Sequence, residues 1–392
     1  MKHIKKVAWL LSVVMFLSLL AACNTEGEEG SSGETQEVSI GYSGPLSGPA
    51  AYYGEATFTG LELAVEEINE AGGFDVDGQN YTIDLVSLDD QYLPNEAASN
   101  AQRLVEENDV SVVYTPHSGG IMAQQVLNEQ EEFMIMAYSS EPAITEQGNS
   151  LTVAIPPRYD GYIAPFTEYA MENHGNKIAL LPTSSQYGKD WNERLEPYWQ
   201  EQGGEVVFNS SIDFNKDTDF FTILTNALEN DPDVIFIGGP SQPTAKVAQQ
   251  ARELGFEGGF IIMDQAKLDE MKDVTGTYET FEGSVGVNPL QYSDYPGTAE
   301  FLEKYQEEFD KVPGSEAGFH YISAYILVEA MKAAGTVDDA HAIREHMQQG
   351  IEALPEDKKV YDIPGILDEG NFDVIQSMAV VENGEVVPVD ID

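Results

Sequence analysis

The chain has 392 residues and carries 68 acidic against 19 basic side chains, a formal net charge of −49. This length is enough for two domains with substantial cores. A nucleic-acid partner is excluded, because neutralising phosphates needs clustered basic residues and none follows Lys6. The single cysteine, Cys23, excludes an internal disulfide framework. The acidic residues are spread over predicted helix faces, which is typical of a solvated surface.

The first 22 residues have the order of charge and hydrophobicity that is typical of a signal peptide. Three lysines precede an apolar run, Val7 to Leu20, which is too short to cross a membrane as a helix. Leu20-Ala21-Ala22-Cys23 resembles the lipobox of bacterial lipoproteins, and this implies cleavage before Cys23 and lipidation of its thiol. Residues 23–37 are rich in Gly, Ser and Glu, so we predict a lipidated, flexible tether. The protein is thereby expected on the outer face of the cell membrane.

From Val38 onward the pattern is strand, loop and helix, repeated. The first strand alternates at Val38 and Ile40 and runs into a loop of Gly, Pro and Ser that ends on two tyrosines. Strands that alternate with helices indicate a parallel, doubly wound α/β sheet. After the first strand, the hydrophobic spacing predicts helices over 57–71, 95–108 and 120–132, and strands over 81–89, 110–114 and 133–137.

The same pattern begins again in the second half, so we predict two lobes of like α/β architecture. A final stretch, 361–389, is predicted to form short antiparallel strands with a turn at 382–384. The other predicted strands are 177–182, 205–211, 234–237, 260–263 and 285–288, and the predicted helices are 188–202, 219–228, 244–254, 298–309, 317–334 and 338–350.

Polar and small residues follow several strands at the point where each ends. Pro116-His117-Ser118-Gly119-Gly120 lies between a strand and a helix, and Tyr138-Ser139-Ser140 follows the next strand. In the second half, Tyr187 and Asp264 follow strands in the same way. Because open α/β sheets place their ligands at the carboxyl ends of the strands, these loops predict one site for a small molecule. Free amides at a helix start beside small residues favour an anionic group there.

The sequence lacks the signatures of several catalytic classes. It has no G-x-S-x-G nucleophile elbow, no G-x-x-x-x-G-K-[ST] phosphate loop and no H-E-x-x-H zinc helix, and its six histidines are scattered. We therefore predict that the protein is not an enzyme and holds no metal or cofactor. A secreted hydrolase that uses Ser118 with His117 is the least favoured alternative, because sequence neighbours seldom make a triad.

A series of motifs occurs in a fixed order along nearly all of the body, and through it the chain resembles a known family. The resemblance covers about 38–389 and is to the bacterial periplasmic-binding-protein family that contains the leucine/isoleucine/valine-binding proteins of ABC importers. The motifs are GPLSGP at 44–49 with Tyr53-Gly54, EINEAGG at 67–73, DDQ at 89–91, MI at 134–135 followed by PAIT at 142–145, QYG at 186–188, DTDF at 217–220 and PDVI at 232–235.

The resemblance implies two Rossmann-like lobes with parallel doubly wound sheets, joined by a three-crossover hinge and closing on a ligand, the type I arrangement. By analogy, lobe one takes residues 38–157 and 286–359, and lobe two takes 158–285 and 360–392. It also implies a solute-binding lipoprotein that delivers its ligand to the membrane subunits of an ABC permease. A ligand-sensing receptor domain is the alternative on the same fold.

The resemblance further implies which side chains hold the ligand. In amino-acid-binding members, hydroxyls and amides of two lobe-one loops hold the ligand carboxylate. Tyrosines line the pocket, and an acidic residue of lobe two pairs with the ligand amine. On this chain the carboxylate positions fall on His117 or Ser118 and on Tyr138, Ser139 and Ser140, the pocket tyrosines on Tyr53 and Tyr187, and the acidic residue on Asp264.

Three positions depart from the family pattern. His117 stands where a serine is usual, Tyr138 where a small residue is usual, and Pro240 where a lobe-two tyrosine is expected. Ser241-Gln242 follow Pro240, and we add Gln242 to the predicted ligand contacts. The resemblance implies a branched-chain or related amino acid as the ligand. The three departures argue against leucine, isoleucine and valine themselves, and they leave a related amino acid, an amide or urea-like compound, and a small aromatic acid open.

Overall fold

Two β-sheets flanked by helices organise residues 35–391, the part of the chain that a computed structural model describes. The predicted signal peptide, Cys23 and residues 24–34 of the predicted tether lie outside the described residues. The first strand begins at Gln36, two residues before its predicted start at Val38. Between residues 35 and 391, no helix has both the length and the apolar character that a membrane span needs.

The first sheet has six strands in the order β2-β3-β1-β4-β5-β6, and all neighbours are parallel except β2 and β3. The second sheet has seven strands in the order β13-β12-β11-β10-β9-β7-β8, parallel from β8 to β11 and antiparallel beyond. The strands are β1 (Gln36–Gly44), β2 (Phe74–Val76), β3 (Gln79–Asp89), β4 (Val112–Thr115), β5 (Met134–Ala137), β6 (Thr152–Ala154), β7 (Lys177–Pro182), β8 (Glu205–Asn209), β9 (Val234–Gly238), β10 (Gly259–Ile262), β11 (Val285–Val287), β12 (Ser377–Glu382) and β13 (Glu385–Asp390).

Helices connect the strands and cover both sheets. They are α1 (Ala51–Glu70), α2 (Pro94–Asn108), α3 (Ser118–Gln124), α4 (Asn128–Glu131), α5 (Ala143–Glu146), α6 (Asp160–Asn173), α7 (Gln186–Glu201), α8 (Phe221–Leu228), α9 (Ser241–Glu253), α10 (Leu268–Thr275), α11 (Thr298–Phe309), α12 (Ser315–Ala334), α13 (Ala340–Glu345) and α14 (Met347–Ala353). The short apolar runs, such as β4, are fully buried, as expected for parallel strands that are covered on both faces.

The chain passes between the two sheets three times. It leaves the first sheet after β6, returns after β11 to add α11–α14, and crosses again to β12 and β13. Val360, Ile363 and Phe372 pack in the core of the first sheet, and Asn371 bridges to Ala154. The third crossing therefore follows residue 374 and not residue 360, where we had predicted the start of the last lobe-two segment. The predicted class, two parallel α/β lobes joined by three crossovers, is confirmed.

Some predicted elements are interrupted in the structure. The predicted helix over 120–132 is two short helices, because Asn128 begins the second one and its buried amide donates to the Phe133 and Leu151 carbonyls. The predicted helix over 338–350 is likewise divided at His346. Within 361–389, only the hairpin of β12 and β13 is extended, since the segment before it packs as irregular chain on the first sheet.

Five elements were not predicted, namely β2, α5, β6, α6 and α10, and two of them show why. Helix α6 contains Gly161 and Pro165, which mask its helical spacing, yet Tyr162 and Phe166 are buried at i and i+4. Strand β2 pairs with β3 across an Asp77-Gly78 turn whose φ angles are +50° and +86°. An Asp-Gly pair between two short strands is a strong indication of a hairpin, because both turn positions need a positive φ. The sequence therefore did indicate this strand.

Candidate ligand-binding site

A cavity lies between the two sheets at the carboxyl ends of their strands, and its empty space, open solvent included, is about 330 Å³. We call it the central cavity. All the predicted contact residues line it except Gln242, which is exposed on α9 away from it. The lining consists of Tyr53, Tyr92, Pro116, His117, Ser118, Tyr138, Ser139, Ser140, Pro156, Tyr187, Asp264, Gln265 and Lys267.

The loop after β1 is packed directly against α1, and this packing sets the position of Tyr53. A Cβ on Gly54 would lie 1.9 Å from the Pro45 carbonyl oxygen, so only glycine permits the approach. The Tyr42 hydroxyl donates to the Gly54 carbonyl at 2.9 Å. Tyr53 then donates from its hydroxyl to the Pro116 carbonyl at 2.6 Å, which ties this wall to the loop after β4.

His117 is held by both ring nitrogens. Nδ1 accepts from the Gly120 amide at 3.0 Å, which caps α3, so the ring proton lies on Nε2 and faces the buried Asp90 carboxylate at 3.0 Å. Tyr92 stacks on the imidazole with ring centroids 4.7 Å apart. His117 therefore contributes a ring face to the cavity and no free nitrogen.

Tyr92 was missed from the sequence. It has a φ of +64°, and the Asp90 carboxylate accepts from its amide at 2.9 Å, so the turn directs its ring toward His117. A positive φ at a tyrosine is rare, and it depends here on the preceding pair of aspartates. The Asp89-Asp90 pair at the end of β3 predicts a turn at this place. It does not predict that the turn places the Tyr92 ring in the cavity.

Hydroxyl groups cluster on the first-lobe side of the cavity. Ser118 and Ser139 lie 2.9 Å apart, oxygen to oxygen, at the ends of β4 and β5. Ser140 donates to the Tyr187 hydroxyl at 3.5 Å, and Tyr187 belongs to α7 of the second lobe. This group of hydroxyls can donate hydrogen bonds to a carboxylate or another anion.

Asp264 supplies the negative charge on the second-lobe side. Trp191 donates from its indole nitrogen to Asp264 Oδ1 at 2.9 Å, and the Tyr187 hydroxyl donates to the same oxygen. Burial, followed by the nearby Asp264 charge, raises the pKa of Tyr187 well above its ordinary value, so the phenol stays a donor. These donors orient the Asp264 carboxylate, and its second oxygen remains for a cationic group.

Lys267 was also missed, and it brings a buried positive charge to the cavity. Its ammonium donates to the Asp264 carbonyl and lies 3.3 Å from Glu316 Oε1, across the gap between the lobes. Both side chains are almost fully buried, with 6% and 0% exposure. A glutamate in the first turn of the largely buried helix α12 was the available signal, but the partner of that charge is fixed only by how the lobes meet.

The two lobes touch in a closed arrangement around the cavity. Besides the Lys267–Glu316 pair, Gln265 of the second lobe donates to the Tyr92 hydroxyl of the first lobe at 3.0 Å. A further space, which we call the mouth cavity, opens beside the central cavity and is lined by Pro240, Phe214 and the 183–187 loop. Its empty space, open solvent included, is about 910 Å³, so the absence of a tyrosine at Pro240 leaves room there. Among residues 35–391, no group of three His, Cys, Asp or Glu side chains is arranged to hold a metal ion.

Comparison with known proteins identifies the architecture. The family model described as periplasmic binding protein matches residues 37–383. The chain belongs to this family. The predicted resemblance and the type I fold are thereby confirmed, and this periplasmic binding protein is an extracytoplasmic solute-binding protein of the kind that serves ABC importers.

Individual relatives are similar over most of their length. An amino acid binding protein of Pseudomonas aeruginosa is 27% identical over 350 residues, 87% of this chain and 90% of the relative. The Leu/Ile/Val-binding protein BraC3 of Rhizobium johnstonii is 26% identical over 322 residues, 81% of this chain and 84% of the relative. The crystal structure of the leucine binding protein LivK of Thermotoga maritima is 25% identical with a TM-score of 0.75, covering 90% of this chain and 97% of that one.

Proposed function

We propose that this periplasmic binding protein is a lipid-anchored receptor that traps a branched-chain or related amino acid between its lobes and delivers it to an ABC permease. The observation that carries the proposal is that hydroxyl groups line one side of the central cavity and a carboxylate lines the other. Ser118, Ser139 and Ser140 face it from the first lobe, and Asp264 faces it from the second. An α-amino acid carries a carboxylate for the first set and an ammonium for the second.

The charges around the cavity support an ammonium at Asp264. Lys267 is paired with Glu316 at 3.3 Å, so its positive charge is already balanced. The Asp264 carboxylate has only neutral hydrogen-bond donors on Oδ1. Hydrogen bonds to charged groups contribute about 1.5–3 kcal/mol each, and a micromolar ligand needs about 8 kcal/mol in total. A few such bonds with modest apolar burial are therefore sufficient.

Binding without turnover is part of the proposal. Ser118 Oγ faces Ser139, and both nitrogens of His117 are engaged by Gly120 and Asp90, so the pair lacks the base-to-nucleophile contact that a hydrolase needs. The names of the relatives, an amino acid binding protein and Leu/Ile/Val-binding proteins, support an amino acid as the ligand. The anchor at Cys23 and the contacts at the predicted residues belong to the same proposal.

The test is a thermal-shift screen of the purified protein against amino acids, amides, urea and aromatic acids, followed by small-angle scattering with each hit. A ligand at 100 times its Kd stabilises the folded state by about 2.7 kcal/mol, which raises Tm by several degrees. We expect amino acids to raise Tm, to shift the scattering toward the closed form, and to be recovered chemically unchanged. A response only to urea, amides or aromatic acids would contradict the proposed ligand class, and conversion of the ligand would contradict its non-enzymatic role.

A further inference from the structure

A second cavity adjoins the central one on the side of the hinge. All three crossings between the sheets contribute to it, through Pro157, Asn288 and Ile375 among others. Its empty space, open solvent included, is about 520 Å³. We call it the hinge-side cavity. It shares Tyr138, Pro156, Asp264 and Lys267 with the central cavity, so these four residues form the boundary between the two spaces.

Five aromatic residues are among the sixteen that line the hinge-side cavity. Phe319 of α12 stacks on Tyr361 with centroids 3.8 Å apart and planes within 4° of parallel. The ring centroid of Tyr295 lies 6.2 Å from that of Tyr361, and Tyr162 adds a further ring. Rings that meet face and edge in this way favour another planar apolar group in the remaining space.

By distance and angle, two polar atoms in the same wall have no hydrogen-bond partner between residues 35 and 391. They are Ser315 Oγ, whose residue is only 6% exposed, and Asn288 Oδ1. The Ser315 side chain is still near enough to the Tyr361 hydroxyl to lower the pKa of that phenol, against the larger effect of burial. Ser315 is the first residue of the long helix α12 and plays no capping role there, since Gly314 is the N-cap residue. Buried polar atoms are almost always paired, and leaving one unpaired costs about 1–3 kcal/mol. Both residues line the hinge-side cavity, and neither lines the central one.

The boundary residues connect this wall to the proposed function. Asp264 lines both cavities, so an ammonium bound to it stands between them, and the carboxylate of the same ligand reaches Ser118 and Ser140 in the central cavity. The side chain of that ligand is then free to enter the hinge-side cavity. The ligand side chain has one other direction, into the mouth cavity. Among the described residues, however, none that lines the mouth cavity has a buried polar side-chain atom without a hydrogen-bond partner.

We propose that the hinge-side cavity is a side-chain subsite for an α-amino acid with an aromatic ring that carries a hydroxyl group, as in L-tyrosine. The ring packs among Phe319, Tyr361 and Tyr295, and the hydroxyl exchanges hydrogen bonds with Ser315 Oγ and Asn288 Oδ1. This inference rests on the proposed function, because it requires the amino acid head group at Asp264. It differs in assigning the ligand to the aromatic class and not to the branched-chain class.

The test is titration calorimetry of the purified protein with L-leucine, L-phenylalanine and L-tyrosine. We expect L-tyrosine to bind at least ten-fold more tightly than L-leucine and more tightly than L-phenylalanine, because only the phenol pairs the two buried atoms. Ser315→Ala should weaken L-tyrosine about ten-fold and leave L-phenylalanine within two-fold. Ser184→Ala, in the lining of the mouth cavity, is the matched control and should change neither.

The outcomes separate this inference from the proposed function. Tighter binding of L-leucine than of both aromatic amino acids overturns the subsite and leaves the proposed function standing. Loss of L-tyrosine and L-phenylalanine affinity in equal measure in Ser315→Ala overturns the assignment of the hydroxyl. The absence of binding by any amino acid overturns the proposed function itself. The comparison of the three ligands on the unmodified protein needs no variant, so it stands even if Ser315→Ala fails to fold.

Discussion

Asp264 is the residue on which the chemistry of the proposed site depends most. It follows β10, is oriented by Trp191 and Tyr187, and lies at the boundary of two cavities. The donors that orient the Asp264 carboxylate are neutral, so they do not balance its negative charge. A carboxylate held in this way is pre-organised for an ammonium and loses little freedom when the ligand arrives.

Asp264→Asn tests this role without changing the shape of the side chain. The amide oxygen can still accept from Trp191 and Tyr187, but the charge that attracts an ammonium is gone. We expect at least a ten-fold loss of amino acid affinity, since a hydrogen bond to a charged group contributes about 1.5–3 kcal/mol. Calorimetry measures it, and Asp213→Asn in the lining of the mouth cavity is the control. Unchanged affinity would show that the amine binds elsewhere.

Helices α10 and α12 meet across the gap between the lobes, and their first turns carry buried carboxyl groups. Asp269 and Glu270 belong to α10, Glu316 belongs to α12, and Lys267 is the cation among them. Burial first, and the Glu316 charge next, raises the pKa of Asp269 to about 7. The same two causes raise the pKa of Glu270 well above its ordinary value, although Ser241 donates to it at 2.6 Å.

This meeting of helices predicts that ligand binding weakens as pH rises. Opening the lobes returns Asp269 to water and to its ordinary pKa near 3.8, so closing takes up a proton in the window from about 4 to about 7. The closed form is favoured below that window and loses this contribution as pH rises through about 7. Each proton taken up changes affinity by up to about ten-fold per pH unit. Titrations between pH 5 and 8 measure the slope.

Asp269→Asn should flatten this pH dependence, because the amide cannot take up a proton when the lobes close. Two charged groups that face this cluster are Glu55 of α1 and Lys311 of the loop between α11 and α12, which pair at 2.6 Å on the exposed side. Glu55→Gln is therefore the matched control and should keep the slope of the unmodified protein. Equal affinity at pH 5 and pH 8 would contradict a role for these carboxyl groups in closure.

At the scale of the whole molecule, the body is proposed to work while held at a membrane by one covalent bond. The apolar leader, the LAAC motif and the Gly- and Glu-rich residues after Cys23 carry that proposal. A single lipid chain gives weak membrane binding, but the diacylglyceryl group of a lipoprotein provides two. A receptor that stays near its permease needs no diffusion across a compartment to deliver its ligand.

Cys23→Ser should release the protein from the membrane, because serine lacks the thiol to which the lipid is attached. We expect most of the unmodified protein in the membrane fraction, with a mass above that of the cleaved chain. The variant should leave the membrane fraction and lack the added mass. Ser32→Ala, in the predicted tether, is the control. Membrane association of the Cys23 variant, with its leader removed, would contradict a lipid anchor.

The amino-acid sequence by itself determined the two-lobed α/β class and the edge of each sheet where the site lies. Both follow from local rules, since hydrophobic spacing defines strands and helices, and parallel strands carry their loops to one edge. The candidate contacts Ser118, Ser140, Tyr187 and Asp264 line the central cavity for this reason. The close packing of α1 on Pro45 also depends on a single residue type, because only a glycine at position 54, which has no Cβ, permits the approach.

Only the tertiary structure decided which other side chains reach the cavity. Tyr92 depends on a left-handed backbone, and the pairing of Lys267 with Glu316 depends on how two lobes meet across residues distant in the chain. Gln242 lies beside the buried Ser241 in sequence but on the outer face of α9, so it points away. The hinge-side cavity lies among three crossings that are far apart in the sequence. Its size and lining could not be predicted, because the packing of whole lobes and not the neighbouring residues sets the distance between the crossings.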